Sequence, residues 1–283
     1  MARALRWFGY AVGALLVLLL LAAALLWFAS NRKLNAEVSP RSERLVQPTP
    51  AAMADIGRRA RTLGCISCHG EGLSGKAFLD DAKVARLHAT NLTEVATRAN
   101  DQQIARAIRQ GIGSDGRSLL VMPSEAYQYL TDEETSALIA YIRRLPRSGE
   151  PSPPRRLGPL ARLGIAKGSF RTAPVMVADY RQQTAPALGP DTDAGRHLAL
   201  TTCSGCHGGD LAGRQVSPEM TSPDLTIAGA YDLPAFTRLM RHGVAPGGKH
   251  LKTMRDVARN DSRFYTDEEI AALHAYLVAR AQR

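Results

Sequence analysis

Apolar residues are distributed very unevenly along this chain. From Trp7 to Ala29 the sequence runs "WFGYAVGALLVLLLLAAALLWFA" without a charge. As a helix rising 1.5 Å per residue, the run spans about 34 Å, enough for a bilayer core of about 30 Å. Trp7, Tyr10 and Trp27 stand near its ends, where interfacial aromatics belong. Arg3 and Arg6 precede the run and Arg32 and Lys33 follow it, so charge counting does not set its orientation. A cleavable signal peptide is the rival reading. Its apolar stretch is shorter, and Ala29 with Trp27 two residues before it is a poor cleavage site. The pattern therefore predicts an uncleaved anchor. The rest of the chain has no second apolar run of spanning length and is expected to be a soluble body on one tether.

Beyond the anchor the apolar positions take a helical period. Asp55 to Thr62 predicts a first helix. Ile104, Ala107 and Ile108 stand at i, i+3 and i+4, one face of a second. Thr131 with Glu134, and Thr266 with Glu269, are capping boxes that open two further helices. One presents Leu138, Tyr141, Ile142 and Leu145; the other presents Leu273, Tyr276 and Leu277. The prolines and glycines of residues 146–164 predict a linker without regular structure. "APVMVADY" at 173–180 reads as a short strand or an extended segment.

The elements occur twice. Residues 55–76 align with 193–214, 104–122 with 236–254, and 131–142 with 266–277. Asp55, Gly57, Arg58, Cys65, Cys68, His69, Gly70, Leu73 and Gly75 all have identical partners in the first alignment. The soluble body is thus an internal duplication.

Composition adds a leaning. With 283 residues there is room for about two small domains. The net charge of +10 favours acidic partners or anionic membrane surfaces. No basic cluster is interleaved with aromatics, so nucleic acid is not an expected partner.

The chemistry lies in the cysteines. All four fall in two Cys-x-x-Cys-His blocks, "CISCH" at 65–69 and "CSGCH" at 203–207. A disulfide staple gives no reason for the histidine. A zinc ribbon wants its two halves much closer, and a thioredoxin-like pair wants an α/β context. Haem attachment explains every residue: Cys65 and Cys68, or Cys203 and Cys206, add to the two vinyl groups, and His69 or His207 faces the iron. Two covalently bound haem c groups are expected. For the sixth ligand, Met122 and Met254 occupy matching places, each read as lying in an irregular stretch before the capped helix. Met240 reads as core, and Met53, Met176 and Met220 have no repeat partners. His88, His242 and His250 read as surface or supporting residues, and His197 and His274 as helix-surface residues.

These motifs, with "NLT" (91–93), "GSDGRSLLVMP" (113–123) and "DLT" (224–226), resemble the membrane-anchored dihaem cytochromes c. They are also similar to the cytochrome subunits of periplasmic alcohol, aldehyde and gluconate dehydrogenases, which usually carry three such motifs. The resemblance implies a mainly α fold: one N-terminal transmembrane helix (1–34) and two tandem cytochrome c-type helical domains (48–147 and 188–281) joined by a Pro-rich linker (148–187). It implies the ligand pairs His69/Met122 and His207/Met254. It also implies both domains on the periplasmic side of the bacterial inner membrane, and no catalytic activity of the chain's own. Expected partners are a dehydrogenase or quinol-linked donor and an oxidase or soluble cytochrome as acceptor. The alternative function is a haem enzyme such as a dihaem peroxidase or a thiosulfate-oxidising cytochrome.

Overall fold

The structure, a computed structural model, describes residues 2–36, 38–217, 220–248 and 251–283. His250 lies outside the described residues. Helix α1 (Ala2–Leu34) carries the apolar run, and its side chains are exposed along nearly the whole length. It is long and apolar enough to cross a membrane.

The first repeat contains α2 (Pro50–Thr62), α3 (Cys65–His69), the hairpin β1 (Lys76–Asp81) and β2 (Ala85–Ala89), α4 (Leu92–Arg98), α5 (Asp101–Gln110), α6 (Ser124–Tyr127) and α7 (Asp132–Arg144). Both predicted capping boxes form. Thr131 accepts from the Glu134 amide while Glu134 reaches back to the Thr131 amide, and Thr266 and Glu269 do the same. Such reciprocal caps satisfy amides that the first turn leaves unpaired. Ile56, Ala60, Ile104, Ile108, Leu138 and Ile142 close one core, with Met122 packed at its margin.

The connector is more ordered than its composition suggests. It contains β3 (Arg156–Leu157), α8 (Pro159–Lys167) and α9 (Ala173–Gln182). Strand β3 pairs antiparallel with β2 and extends the hairpin to three strands. The stretch expected to be strand or extended is helix α9. Its buried residues Ala173, Met176, Val177 and Tyr180 keep a helical spacing, and Pro174 sits in the first turn, where a missing amide costs nothing.

The second repeat contains α10 (Asp193–Leu198), a π-turn (Ala199–Cys203), α11 (Ser204–His207), the hairpin β4 (Arg214–Ser217) and β5 (Met220–Ser222), α12 (Leu233–His242), α13 (Lys252–Asn260) and α14 (Asp267–Ala281). Phe236, Met240, Ile270, Leu273, Tyr276 and Leu277 form its core. The hairpins β1–β2 and β4–β5 have no signal in the helical reading. The duplication extends to the backbone. Among the described residues only Leu73 and Leu211 are non-glycine residues at positive φ, 57° and 61°, and they are repeat partners. Each is buried, and its amide bonds to the carbonyl of Gly70 or Gly208. Packing holds both in a conformation that leucine rarely adopts.

Candidate functional site

Each Cys-x-x-Cys-His block folds as one short helical turn, α3 in the first copy and α11 with the end of the π-turn in the second. A loop follows each turn and comes back so that Gly75 donates to the His69 carbonyl and Gly213 to the His207 carbonyl, both at 2.8 Å. The two cysteines and the histidine of each block are therefore brought together, as the spacing predicts.

The histidines are oriented identically. His69 Nδ1 is 2.7 Å from the Thr90 carbonyl, and His207 Nδ1 is 2.8 Å from the Pro223 carbonyl. A carbonyl only accepts, so Nδ1 carries the proton and Nε2 keeps a lone pair. Burial lowers the pKa of both rings, against the raising effect of these bonds, which favours the neutral imidazole. The carbonyls are fixed by caps. Asn91 follows Thr90, accepts from the amides of Thr93 and Glu94, and donates to the Ser148 carbonyl at 2.7 Å. Asp224 follows Pro223, accepts from the Thr226 amide and pairs with Arg280. These are the "NLT" and "DLT" motifs, and their first residues act by holding the histidine's acceptor in place.

Desolvation raises the pKa of all four thiols and favours their neutral form. Burial pushes Cys65 up to about 12 and Cys203 up to about 11. Thiols in that state are poor thiolate ligands and poor exchange nucleophiles. Among the described residues no three His, Cys, Asp or Glu side chains cluster as a metal site. Two thiols and one histidine on a single turn, with Nε2 unblocked and Nδ1 tied down, fit haem c, whose iron takes a nitrogen held from behind by a hydrogen bond.

The two methionines stand differently. Met122 lies in the irregular loop before α6, half-buried against the first core. The connector braces that loop: the Ala173 amide donates to the Leu119 carbonyl at 2.8 Å, and Arg155 donates to the Ser118 carbonyl. Gly111 is needed here, because a Cβ would lie 2.5 Å from that of Ala173. Met254, expected in a loop, sits instead on α13. Lys252–Asn260 contains neither glycine nor proline, so the helix is not interrupted, whereas Pro123 follows Met122 directly. Met220, which has no repeat partner, accepts a hydrogen bond from Thr253 at 3.4 Å and so lies beside the Met254 segment.

Two of the other histidines, half-exposed on their helices, also make specific contacts. His197 donates to Glu134 of the first repeat at 2.9 Å. His274 donates to the Tyr231 carbonyl and stacks on Phe236. Met240 is buried in the second core, as expected.

Three residues near the sites are invisible to the sequence, because each acts across the domain boundary. Asp261, after α13, lies against Gly64 beside the first cysteine motif, where the Ser67 hydroxyl donates to the Gly64 carbonyl. The Oδ1 of Asp261 is buried and has no hydrogen-bond partner among the described residues, and burial pushes its pKa up to about 6. Glu125 of α6 faces Cys206, and burial pushes it up to about 7, against Arg214 and Arg171, which lower it. Gly205, inside the second motif, places its would-be Cβ 3.6 Å from Pro123. Each cysteine motif thus abuts the segment that follows the other domain's methionine.

The second site is the more open. His69 is buried and Cys68 half-buried, whereas His207 is half-buried and Cys206 exposed.

Comparison with known proteins agrees with this duplication. Residues 52–142 match the family model of cytochrome c oxidase, cbb3-type, subunit III, and residues 192–280 match that of cytochrome c. The chain is 25% identical over 268 residues to the fructose dehydrogenase cytochrome subunit of Gluconobacter japonicus, an alignment covering 82% of this chain and 54% of that one. It is 28% identical over 220 residues to a nicotinate dehydrogenase subunit of Pseudomonas putida, covering 71% and 17%. The chain therefore spans about half the length of the first relative and a small part of the second. Domains of this kind bind haem c and carry electrons. With two matches in series and one folded Cys-x-x-Cys-His turn in each, the chain belongs to the cytochromes c and holds two such domains in tandem.

Proposed function

We infer that this chain is a membrane-anchored dihaem cytochrome c that passes electrons from a dehydrogenase or quinol-linked donor to an oxidase or soluble cytochrome. Cys65 and Cys68 hold one haem and Cys203 and Cys206 the other. His69 with Met122, and His207 with Met254, would be the residues that hold the two irons. The haem, when bound, supplies a one-electron couple. The chain's residues supply the rest: Thr90 and Pro223 orient the histidines, the two cores exclude water, and the ion pairs between domains fix the two motifs against each other. Helix α1 stays in the inner membrane and keeps both domains on the periplasmic face.

The observation that carries this reading is the shared hydrogen bond of His69 and His207, each with Nδ1 committed to a backbone carbonyl, which leaves the lone pair on Nε2. The dehydrogenase partner rests on the likeness to the fructose dehydrogenase cytochrome subunit.

The test is haem content after expression with a cytochrome c maturation system. Two haems per chain should survive denaturation and extraction by acidified organic solvent. Replacing Cys65 and Cys68 by alanine should remove one, and replacing Cys203 and Cys206 the other. Haem that is extracted from the wild type overturns the covalent reading. High-spin iron in the oxidised wild type overturns the methionine assignment.

A further inference from the structure

The polar end of α1 is clamped rather than free. Ser30 and Leu34 are buried. Arg162 of α8 donates to Ser30 Oγ at 2.9 Å and to Asn31 Oδ1 at 3.1 Å. Lys33 in turn donates to the Ala166 carbonyl at 2.8 Å. Helix α8 is therefore fixed at the level where the apolar run, ending at Ala29, gives way to polar residues.

Helix α8 has two dissimilar faces. Ala161 and Ile165 are buried, Ala161 against Ala85 and Leu87 of β2. The opposite stripe is Leu160, Leu163 and Lys167, spaced three and four residues apart on one face. Leu160 is 55% and Leu163 40% exposed. Along the connector itself the charge has one sign, although the β1–β2 turn bonded to the start of α8 carries Asp81. Residues 151–178 carry Arg155, Arg156, Arg162, Lys167 and Arg171 and no acidic residue. Among the described residues only Arg171 of these five pairs with a carboxylate, that of Asp179.

We propose that α8 lies in the headgroup layer of the bilayer that α1 spans, with Leu160 and Leu163 in the acyl boundary and the exposed cations Arg156 and Lys167 on anionic phospholipid headgroups. The inference rests on α1 remaining as an anchor. An apolar stripe flanked by cations is the pattern of a helix lying in an interface, and Lys167 can lay its stem along the lipid with its ammonium in the headgroups. Continuity with α1 decides for lipid over a protein partner, because hydrogen bonds hold the stripe at the membrane boundary. The first domain is joined to α8 through β2 and β3, so this foothold fixes its orientation on the membrane.

The test uses the full-length holoprotein in nanodiscs of phosphatidylcholine with or without phosphatidylglycerol. A fluorophore is attached at Leu163→Cys, and at Gln282→Cys as a control, since the natural cysteines are consumed by haem. Expected is strong quenching of the Leu163 label by doxyl groups in the lipid, increased by phosphatidylglycerol, with the Gln282 label quenched only from water. Quenching of the Leu163 label from water alone, in protein that resists alkaline extraction, overturns the proposal while leaving the anchor intact. Protection that appears only when a partner complex is added also overturns it, in favour of a protein interface. Protein released by alkali shows instead that the anchor reading has failed, and the proposal with it. Hydrogen exchange of residues 159–167 in unlabelled protein checks the result independently: slower exchange in anionic nanodiscs than in detergent is expected, and equal exchange counts against it.

Discussion

The guanidinium of Arg58 in the first domain grips the carboxylate of Glu269 in the second, with hydrogen bonds of 2.6 and 2.9 Å. Glu269 is also the capping residue of α14. Its repeat partner Glu134 caps α7, pairs with Arg59 at 2.8 Å and receives His197 from the other domain. The same capping glutamate serves the boundary from both sides, as in an isologous interface within one chain. The partners differ: Arg196, which corresponds to Arg58, bonds instead to the Ala185 carbonyl.

Replacing Arg58 by alanine should destabilise the protein by about 1–2 kcal/mol, the range for charged hydrogen bonds with some solvent access. A double-mutant cycle with Glu269→Gln, read by thermal unfolding, should show coupling between the two changes. Additive losses would mean that the pair contributes no stability.

Glu134 gives the interface an acid limit. Burial raises its pKa, but the His197 and Thr131 hydrogen bonds and the Arg59 charge prevail and hold it at about 2. A carboxylate held below its unfolded value contributes stability that is full above about pH 4.5 and is lost as pH falls towards 2. The stability gap between wild type and Glu134→Gln should therefore shrink between about pH 5 and about pH 2.5. A constant gap across that range would show that the charge is not what matters.

Asp261 has the opposite sign. Its folded pKa of about 6 lies above the unfolded value of 3.8. Stability tied to the protonated carboxyl is full below about pH 4 and is lost as pH rises through 6. Asp261→Asn should stabilise the protein by about 1–2 kcal/mol at about pH 7.5 and hardly at all at about pH 4. Urea titrations at the two pH values measure this.

Gly205 is a steric test of the domain contact. Alanine should fit, since its Cβ would meet Pro123 at 3.6 Å and Ala126 at 4.0 Å, ordinary contact distances. Leucine should wedge the second motif away from the Met122 loop. The expected signature is a lower unfolding temperature with a disturbed methionine–iron charge-transfer band of the first haem, and no such disturbance in the alanine variant.

The two haems should titrate separately. The Met122 loop is braced by Ala173 and Arg155, while the second site has an exposed Cys206 and a half-buried histidine. Exposure and ligand both move haem potential. Met122→His and Met254→His should each lower a different step in a spectroelectrochemical titration. If both variants move the same step, one methionine is not a ligand.

Much of the fold and the site is legible in the chain because it is local. The apolar run, the capping boxes and the Cys-x-x-Cys-His turns depend on residues within a few positions, and the duplication doubles each signal. The connector defeats a reading that weighs proline and glycine above period: Pro159 and Pro174 open helices rather than break them. Met254 departs from expectation because the repeat carries a loop onto a stretch lacking the proline that enforces it. The hairpins escape because "KAFLDD" is almost wholly exposed and "ARLHA", though it alternates, is only five residues long. Asp261, Glu125 and His197 leave no local signal at all, since their roles exist only once the two domains have docked.

The bonds of Asn91 to the connector have a bearing on biogenesis. The carbonyl that aligns His69 belongs to Thr90, and the next residue is held by Ser148 and Ser152, far later in the chain. A chain exported from its amino terminus presents Cys65 and Cys68 long before those serines arrive. Until then the first domain lacks two of the bonds that hold the residue after Thr90. The seat of the first histidine is therefore completed only by residues that come after the whole first repeat, so a truncation before Ser148 would leave the Thr90 carbonyl without its brace.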